Sequence, residues 1–541
     1  MSLSPGSTVR VGTMQDAAEK DKVVTTDDVV HSNDSTDIEA DGGKEAAGAA
    51  EDVAEMTVGA GELSRRRSRA DMDPAFEVRF AAGDVEDPHN RSPATKAGLT
   101  LLLGGLAFAG SLGSSIVAPA QAAIAAEMAI SREVTVLLMS LFLLGFAVGP
   151  MVWAPVSEAY GRRWSMLPAL MVLGLFSIGS ARSRTPAALL ATRLLGGVFG
   201  SAPVSNVTAA LGDLFAPRQR GVAMAFYSLC VVGGPFLAPV IGAAVVADPR
   251  LGWRWTLYLE AIVAFSVTLA AFVLLPETYA PVLLARRAAR LRALPPADGG
   301  DSRFWHPHDL KPVTLRNVVS KHLSRPLRML FTEPIVSCVA AYASFVYALI
   351  FLVLEVYPIV FREQRCYGPV VAYLPYLGLF VGALSAVVIN LANQPLYLRA
   401  VDRNNGRAVP EARLPPIFVG GCLLPAGLFW FAWTAKPSVP WPVPTVAGGF
   451  IAAGFNIIFQ QCLNYLIDCY GRYAASATSA NTILRSLLAC CLPLAARPMF
   501  INMGVGPTAS LLGGISCVAL PLPFLLMRYG ARLRAMSKFV D

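Results

Sequence analysis

The chain has 541 residues, 54% of them hydrophobic and 15% charged, with a net charge of +8 and a mean hydropathy of +0.51. A water-soluble domain carries about 25% charged residues, so this composition excludes an ordinary soluble protein and leaves a polytopic membrane protein. The positive charge is no nucleic-acid footprint, because Lys and Arg gather in alternate loops between apolar runs, as membrane topology requires.

Residues 1–95 are rich in Asp, Glu, Ser, Thr, Gly and Ala, and no apolar run follows the initiator methionine. They predict a disordered cytoplasmic tail rather than a cleaved signal peptide. Its basic run Arg65-Arg66-Arg67 reads as solvated. Twelve apolar runs follow, each long enough to cross a ~30 Å hydrocarbon core as helix. The first six are predicted at 97–119, 133–154, 165–181, 187–210, 220–246 and 255–275, and the second six at 334–360, 368–392, 415–435, 442–467, 476–502 and 508–528. The predicted units are the tail, a six-helix half over 96–276, a basic cytoplasmic loop over 277–332, a second half over 333–530 and a tail over 531–541. The basic loops all fall on one side, which the positive-inside rule makes cytoplasmic together with both termini. Arg182, Arg184, Arg250 and Arg254 depart from that pattern.

Between spans 2 and 3 stands Ala154-Pro155-Val156-Ser157-Glu158-Ala159-Tyr160-Gly161-Arg162-Arg163. Glycine permits a tight reversal, and the arginines can pair with Glu158, with helix-end carbonyls or with anionic headgroups. Glu158, Gly161, Arg162 and Arg163 therefore read as a conformational lock, with a plain topology anchor as the alternative. Span 4 contains Arg193, costly in a membrane unless it faces a cavity or pairs; the alternative is that it snorkels to the outer face. Asn206 extends a polar stripe along the same span. Span 5 carries Gly233-Gly234-Pro235, then Pro239 and Gly242, where a transporter helix can bend or slide. Glu260 and Glu355 are intramembrane carboxylates, readable with Arg193 as proton-coupling groups or as partners of an arginine near the outer edge.

In span 10, Asn456, Gln460, Asn464 and Asp468 recur every fourth residue and share one helix face. That stripe means either a cavity wall or interhelical hydrogen bonds. Asp468 is expected to pair with Arg472 as a second-half counterpart of the Glu158 lock. Asn481 and Arg485 have the same spacing in span 11 and are expected to face inward, and Tyr357 joins the substrate-cavity candidates. The nine cysteines show no C-x-x-C pair, so neither a metal site nor a redox site is expected. The five histidines lie in polar segments, which argues against an enzyme.

Taken as a set, these runs resemble the major facilitator superfamily, and within it the fungal twelve-span drug:proton antiporters of the polyamine and multidrug branch. The resemblance covers about 90–540. It rests on Ser157 to Arg163, Arg193 to Pro203, Asp213 to Gly221, Gly233 to Gly242, Pro276-Glu277-Thr278-Tyr279, Pro410 to Pro416 and Tyr473 to Ala477. Ala154 and Ala238 stand where that family usually has glycine. The resemblance implies an all-α membrane protein with the MFS fold, twelve helices in two six-helix halves. It implies a plasma-membrane, proton-coupled exporter that needs no cofactor and works as a monomer in the bilayer, with a small molecule and protons as its partners. The scarcity of intramembrane acids favours an amphipathic or weakly acidic metabolite or drug over a polyamine. A polyamine exporter, a nutrient importer of the same fold and a non-transporting sensor are the alternatives.

Overall fold

Sequence signals at the helix starts set where the chain enters each span. Ser92 caps the first helix, its Oγ accepting from Thr95 N at 3.2 Å, with Pro93 in the first turn. Ser131 and Thr185 cap the second and fourth in the same way. The computed structural model describes residues 76–81, 83–293, 304–308, 324–405 and 408–537, apart from the side chains of Pro217 and Arg472.

Among the described residues, twelve helices are long and apolar enough to cross a membrane. In the first half they are α1 Pro93–Leu112, α2 Arg132–Tyr160, α3 Arg162–Ala181, α4 Pro186–Leu214, α5 Pro217–Ala247 and α6 Arg254–Leu274. In the second they are α7 Pro334–Pro358, α8 Tyr376–Arg403, α9 Pro415–Thr434, α10 Pro442–Tyr470 and α11 Ala474–Asn502. The last span, α12, covers Val505–Ala535 and is stepped at Leu520. Each half packs within itself, α2 on α4 and α3 on α4 in the first, α9 and α8 on α10 in the second. Between halves the main contacts are α2 with α11 and α5 with α8, a pattern preserved when the first six helices are exchanged for the second six.

Small residues let the backbones within each half meet. A Cβ on Gly197 would lie 2.1 Å from Phe142 O on α2, and one on Gly382 would lie 2.0 Å from Gly449 O on α10. Such seams are the membrane substitute for a water-driven core.

Several boundaries differ from the sequence expectation. The first apolar run does not stay helical to 119: α1 stops at Leu112, and the chain turns before a short helix, Gln121–Met128. α8 continues past the expected end at 392 to Arg403, with Tyr397 and Val401 buried on that extension. The basic central segment contains the helices Ala280–Ala293 and Arg325–Thr332, while Lys311, Arg316 and Lys321 lie outside the described residues. Of the expected tail, residues 1–75, with Arg65 to Arg67, also lie outside them. From Phe76 onward the tail is held: Val78 N donates to Trp305 O at 3.0 Å, and Arg287 and Arg290 pair with Asp84 and Glu86.

Candidate functional site

The turn at Gly161 organises one end of the first half, called here the motif end. Gly161 has φ 104°, and a Cβ there would lie 2.3 Å from Glu277 Oε2, so both the left-handed backbone and the space require glycine. The Glu277 carboxylate accepts from the backbone N–H groups of Arg162 at 2.9 Å and Arg163 at 3.3 Å, capping the start of α3. Arg162 Nε donates to Asp213 Oδ2 at 2.8 Å and Nη1 to Ser157 Oγ at 2.7 Å, with its guanidinium over the Tyr279 ring. Burial pushes the Tyr279 phenol above its ordinary pKa. Arg163 Nη2 donates to Phe272 O at 2.6 Å. Asp213 and Glu277 are carboxylates seen on these arginines, and Glu158 lines a cavity beside them.

The second half repeats the pair. Arg413, just before α9, donates from Nε to Asp468 Oδ2 at 2.9 Å, Tyr397 OH donates to the same oxygen at 2.8 Å, and the guanidinium lies over the Tyr397 ring. Asp468 is therefore the counterpart of Asp213 rather than of Glu158, and the partners seen on it are Arg413 and Tyr397. The side chain of Arg472, its expected partner, lies outside the described residues. The signal was present, because Asp213 and Arg413 both sit in the motif runs; what the sequence hides is that each pairs across its own half.

At the opposite end the halves are tied together. Arg132 Nη1 on α2 donates to Glu363 Oε1 at 2.9 Å, and Arg497 on α11 donates to the same carboxylate at 3.0 and 3.3 Å. Gln121 Nε2 donates to Glu355 Oε1 at 3.3 Å. This latch escaped the sequence reading, since Arg362-Glu363-Gln364-Arg365 looks like an ordinary mixed-charge loop. Arg254, one of the arginines that break the charge pattern, is held by Glu127 in a two-pronged contact of 2.5 and 3.0 Å. With Trp253 Nε1, 2.6 Å away, it keeps the Glu127 carboxyl below the usual range.

Between the halves, toward the motif end, lies a cavity of about 240 Å³. α2 contributes Phe146, Pro150, Ala154 and Glu158, α4 contributes Ser201, Ser205, Asn206 and Thr208, and α5 contributes Arg220, Met224 and Tyr227. The second half contributes Leu463 and Ile467 from α10, and Ala474, Thr478, Thr482 and Arg485 from α11. Arg485 is 4% exposed, its guanidinium 4.6 Å from the Tyr347 ring centroid and 4.9 Å from that of Phe459.

Of the predicted cavity residues, only Asn206 lines it, its amide held by Trp153 O at 3.2 Å and Ser165 Oγ at 2.9 Å. The α10 stripe is a hydrogen-bond ladder instead. Ser228 Oγ of α5 donates to Asn456 Oδ1 at 2.5 Å, and Asn456 Nδ2 donates to Ala383 O at 3.0 Å. Asn390 Nδ2 donates to Gln460 Oε1 at 2.7 Å, and Asn464 Nδ2 to Gln461 Oε1 at 3.4 Å. Buried amides take partners wherever the packing offers them, so the stripe joins helices rather than walling the cavity. Tyr357 is fully buried against Phe431 and Tyr376. Asn481 is fully buried with neither amide atom partnered, and is not among the cavity-lining residues.

Arg193 neither snorkels nor reaches this cavity. It is 1% exposed, paired with the fully buried Glu260 at 2.9 Å, bonded to Gly113 O and set over Phe142. Two of the three proton-coupling candidates, Arg193 and Glu260, thus form one buried ion pair inside the first half, apart from Glu355. In the motif of span 5, a Cβ on Gly234 would lie 2.2 Å from Ser111 Oγ and one on Gly242 2.5 Å from Ile116 O. Gly233 faces Phe380 of α8. Ser115 Oγ donates to Pro235 O at 2.9 Å. Gly234 and Gly242 thus let α5 approach the end of α1, where its prolines leave it a continuous helix over Pro217–Ala247.

Two internally packed six-helix halves with a cavity between them define a membrane transporter rather than an enzyme. The sequence profile of the Major Facilitator Superfamily matches residues 103–492. The chain is 39% identical over 461 residues to the citrinin biosynthesis cluster MFS transporter mrr1 of Monascus ruber, covering 84% of this chain and 90% of that one. To the multidrug transporter FLU1 of Candida albicans it is 36% identical, covering 86% and 76%. The solved structure of the proton:xylose symporter XylE shares the fold, with a TM-score of 0.56 at 17% identity over 81% of this chain and 96% of that one. The chain belongs to the major facilitator superfamily, in its fungal drug-efflux branch.

Proposed function

We propose that the chain is a proton-coupled exporter of the plasma membrane, both termini cytoplasmic, moving a small amphipathic or weakly acidic metabolite or drug by alternating access. One observation carries the reading: the cavity lies toward the motif end while the other end is latched across the halves by the pair of Arg132 with Glu363. With the motif end cytoplasmic, as its basic loops require, this is a conformation that loads from inside the cell. The names of relatives point the same way, to a citrinin cluster and to multidrug transport.

The cavity's charges disfavour the polyamine alternative. Its lining carries one carboxylate, Glu158, against Arg162, Arg220 and Arg485, and a polycation needs acids to replace its water. We assign proton coupling to Glu355. It lies in a polar cleft at the latched end with Gln121, Arg132 and Arg497, whereas Glu260 is committed to Arg193. No cofactor is required, because the proton gradient supplies the driving force.

The reading is tested in everted plasma-membrane vesicles bearing the full chain and acidified inside. Compounds that cells lacking the gene retain should accumulate in the vesicles and leave on addition of an uncoupler. If spermidine alone were accumulated, or if flux ran only in right-side-out vesicles, the reading would be abandoned.

A further inference from the structure

Arg485 is a cation without an anion. Among the described residues its guanidinium makes no ion pair and no hydrogen bond, and Nε is buried with no partner. Arg162, which also lines the cavity, is by contrast held by Asp213. A buried charge left unpaired is costly, and Arg485 is cradled instead by the faces of Tyr347 and Phe459. One turn away on α11, Asn481 is equally unserved.

Position adds direction. Arg485 lies eleven residues into α11, so about 17 Å from the start of that helix at 1.5 Å per residue, deep in the span. Ala474 and Ala475, the first turn of α11, line the cavity nearer the motif end together with Arg220, whose Nε is also unpartnered. A helix N-terminus and a free arginine at the entrance, with a second arginine at depth, form a positive gradient along the path. The rest of the wall is apolar, with Phe146, Met224 and Leu463.

We propose that Arg485 is the anchor for the anionic group of the substrate. An organic anion, with a carboxylate or acidic enolate as its head, pairs with Arg485 while its apolar body lies against α2, α5 and α10. This rests on the reading of the cavity as the substrate path, and it makes the cavity selective for anions over cations of the same shape. Arg485 also gains a stacking geometry that a lysine lacks, so charge alone restores binding only in part.

The test uses the purified full-length protein and three probes of one shape: 2-naphthoate, 2-naphthylmethylammonium and 2-naphthalenemethanol. Naphthoate is expected to bind the wild type at least roughly 10-fold more tightly than the cation, the scale of one charge-assisted hydrogen bond. Arg485→Gln should bring that ratio to about one, and Arg485→Lys should keep part of it. Without ligand, Arg485→Gln should melt no lower than wild type, because the unpaired charge is gone; naphthoate should no longer raise its melting temperature. A wild type that prefers the cation or shows no preference overturns the proposal. So do an Arg485→Gln protein that keeps the anion preference and a pair of variants that merely melt lower while binding as wild type does. Direction is read separately in proteoliposomes: naphthoate bound through Arg485 but not moved out of the motif-end compartment leaves the anchor standing and removes the exporter.

Discussion

Removing the Glu363 carboxylate tests the latch at the end opposite the motif. Glu363 is shared by Arg132 of the first half and Arg497 of the second, with side chains 46%, 26% and 35% exposed for Arg132, Arg497 and Glu363. Pairs this exposed are screened by water and contribute about 0.5–1 kcal/mol each; only the Arg132 pair spans the halves, so Glu363→Ala gives up about 0.5–1 kcal/mol of closure. That is roughly a 2- to 5-fold shift toward states open at the latched end. Amide hydrogen exchange on the purified protein reads the shift directly. Exchange should speed up around 129–136, 359–367 and 497–504, and slow down at the motif end around 213–220 and 470–478. Glu363→Gln should behave like Glu363→Ala, because charge rather than shape holds the arginines. Unchanged exchange at the latched end, or equal loosening at both ends, would refute the latch and leave an ordinary surface ion pair.

Gly234→Ala would push a Cβ to 2.2 Å from Ser111 Oγ. It should cost about 1–3 kcal/mol of packing, seen as a lower melting temperature, and Ser111→Ala in the same chain should recover most of it. Glu158→Ala should abolish transport while membrane insertion and abundance stay at wild-type levels in fractionated cells; unchanged export removes Glu158 from the mechanism. Glu127 is held below its ordinary pKa first by its hydrogen bond from Arg254. A depressed carboxyl stabilises the fold fully above the unfolded value, and that stability is lost as pH falls through the lower folded value. Melting curves should therefore show an acid-side loss in wild type that is smaller in Glu127→Gln.

The fold was legible because its signals are long and redundant: apolar runs of membrane length, charge on alternate loops and motif residues at the starts of α3 and α5. Where boundaries failed, burial had overridden local chemistry. The span expected to end at 392 runs on to Arg403 through a polar stretch, with Tyr397 and Val401 buried against the bundle. The sites were less legible, because a polar face on a helix does not say what it faces. The spacing of Asn456, Gln460 and Asn464 was read correctly as one stripe, but cavity wall and helix seam produce the same stripe. Arg193 and Glu260 were singled out separately, since nothing in a linear sequence says that α4 and α6 bring them within 2.9 Å. Glu363 gives no such signal for the converse reason: its partners are far away in sequence, Arg497 on another helix of the same half and Arg132 on the other half.

The paired clamps, Arg162 with Asp213 and Arg413 with Asp468, each close within a single half. At the same end, the links between halves are slight: Arg218 with the exposed Asp402 and Gln394 with Arg218 O. Rigidity and mobility are therefore coded by different residues. Under the alternating access proposed above, each plate keeps its shape while the plates tilt, and no clamp has to break and re-form at every turnover. Damage should divide along the same line. Variants in the clamps cost the cell its supply of folded protein, whereas variants along the seam leave the supply intact and change only how often the machine turns.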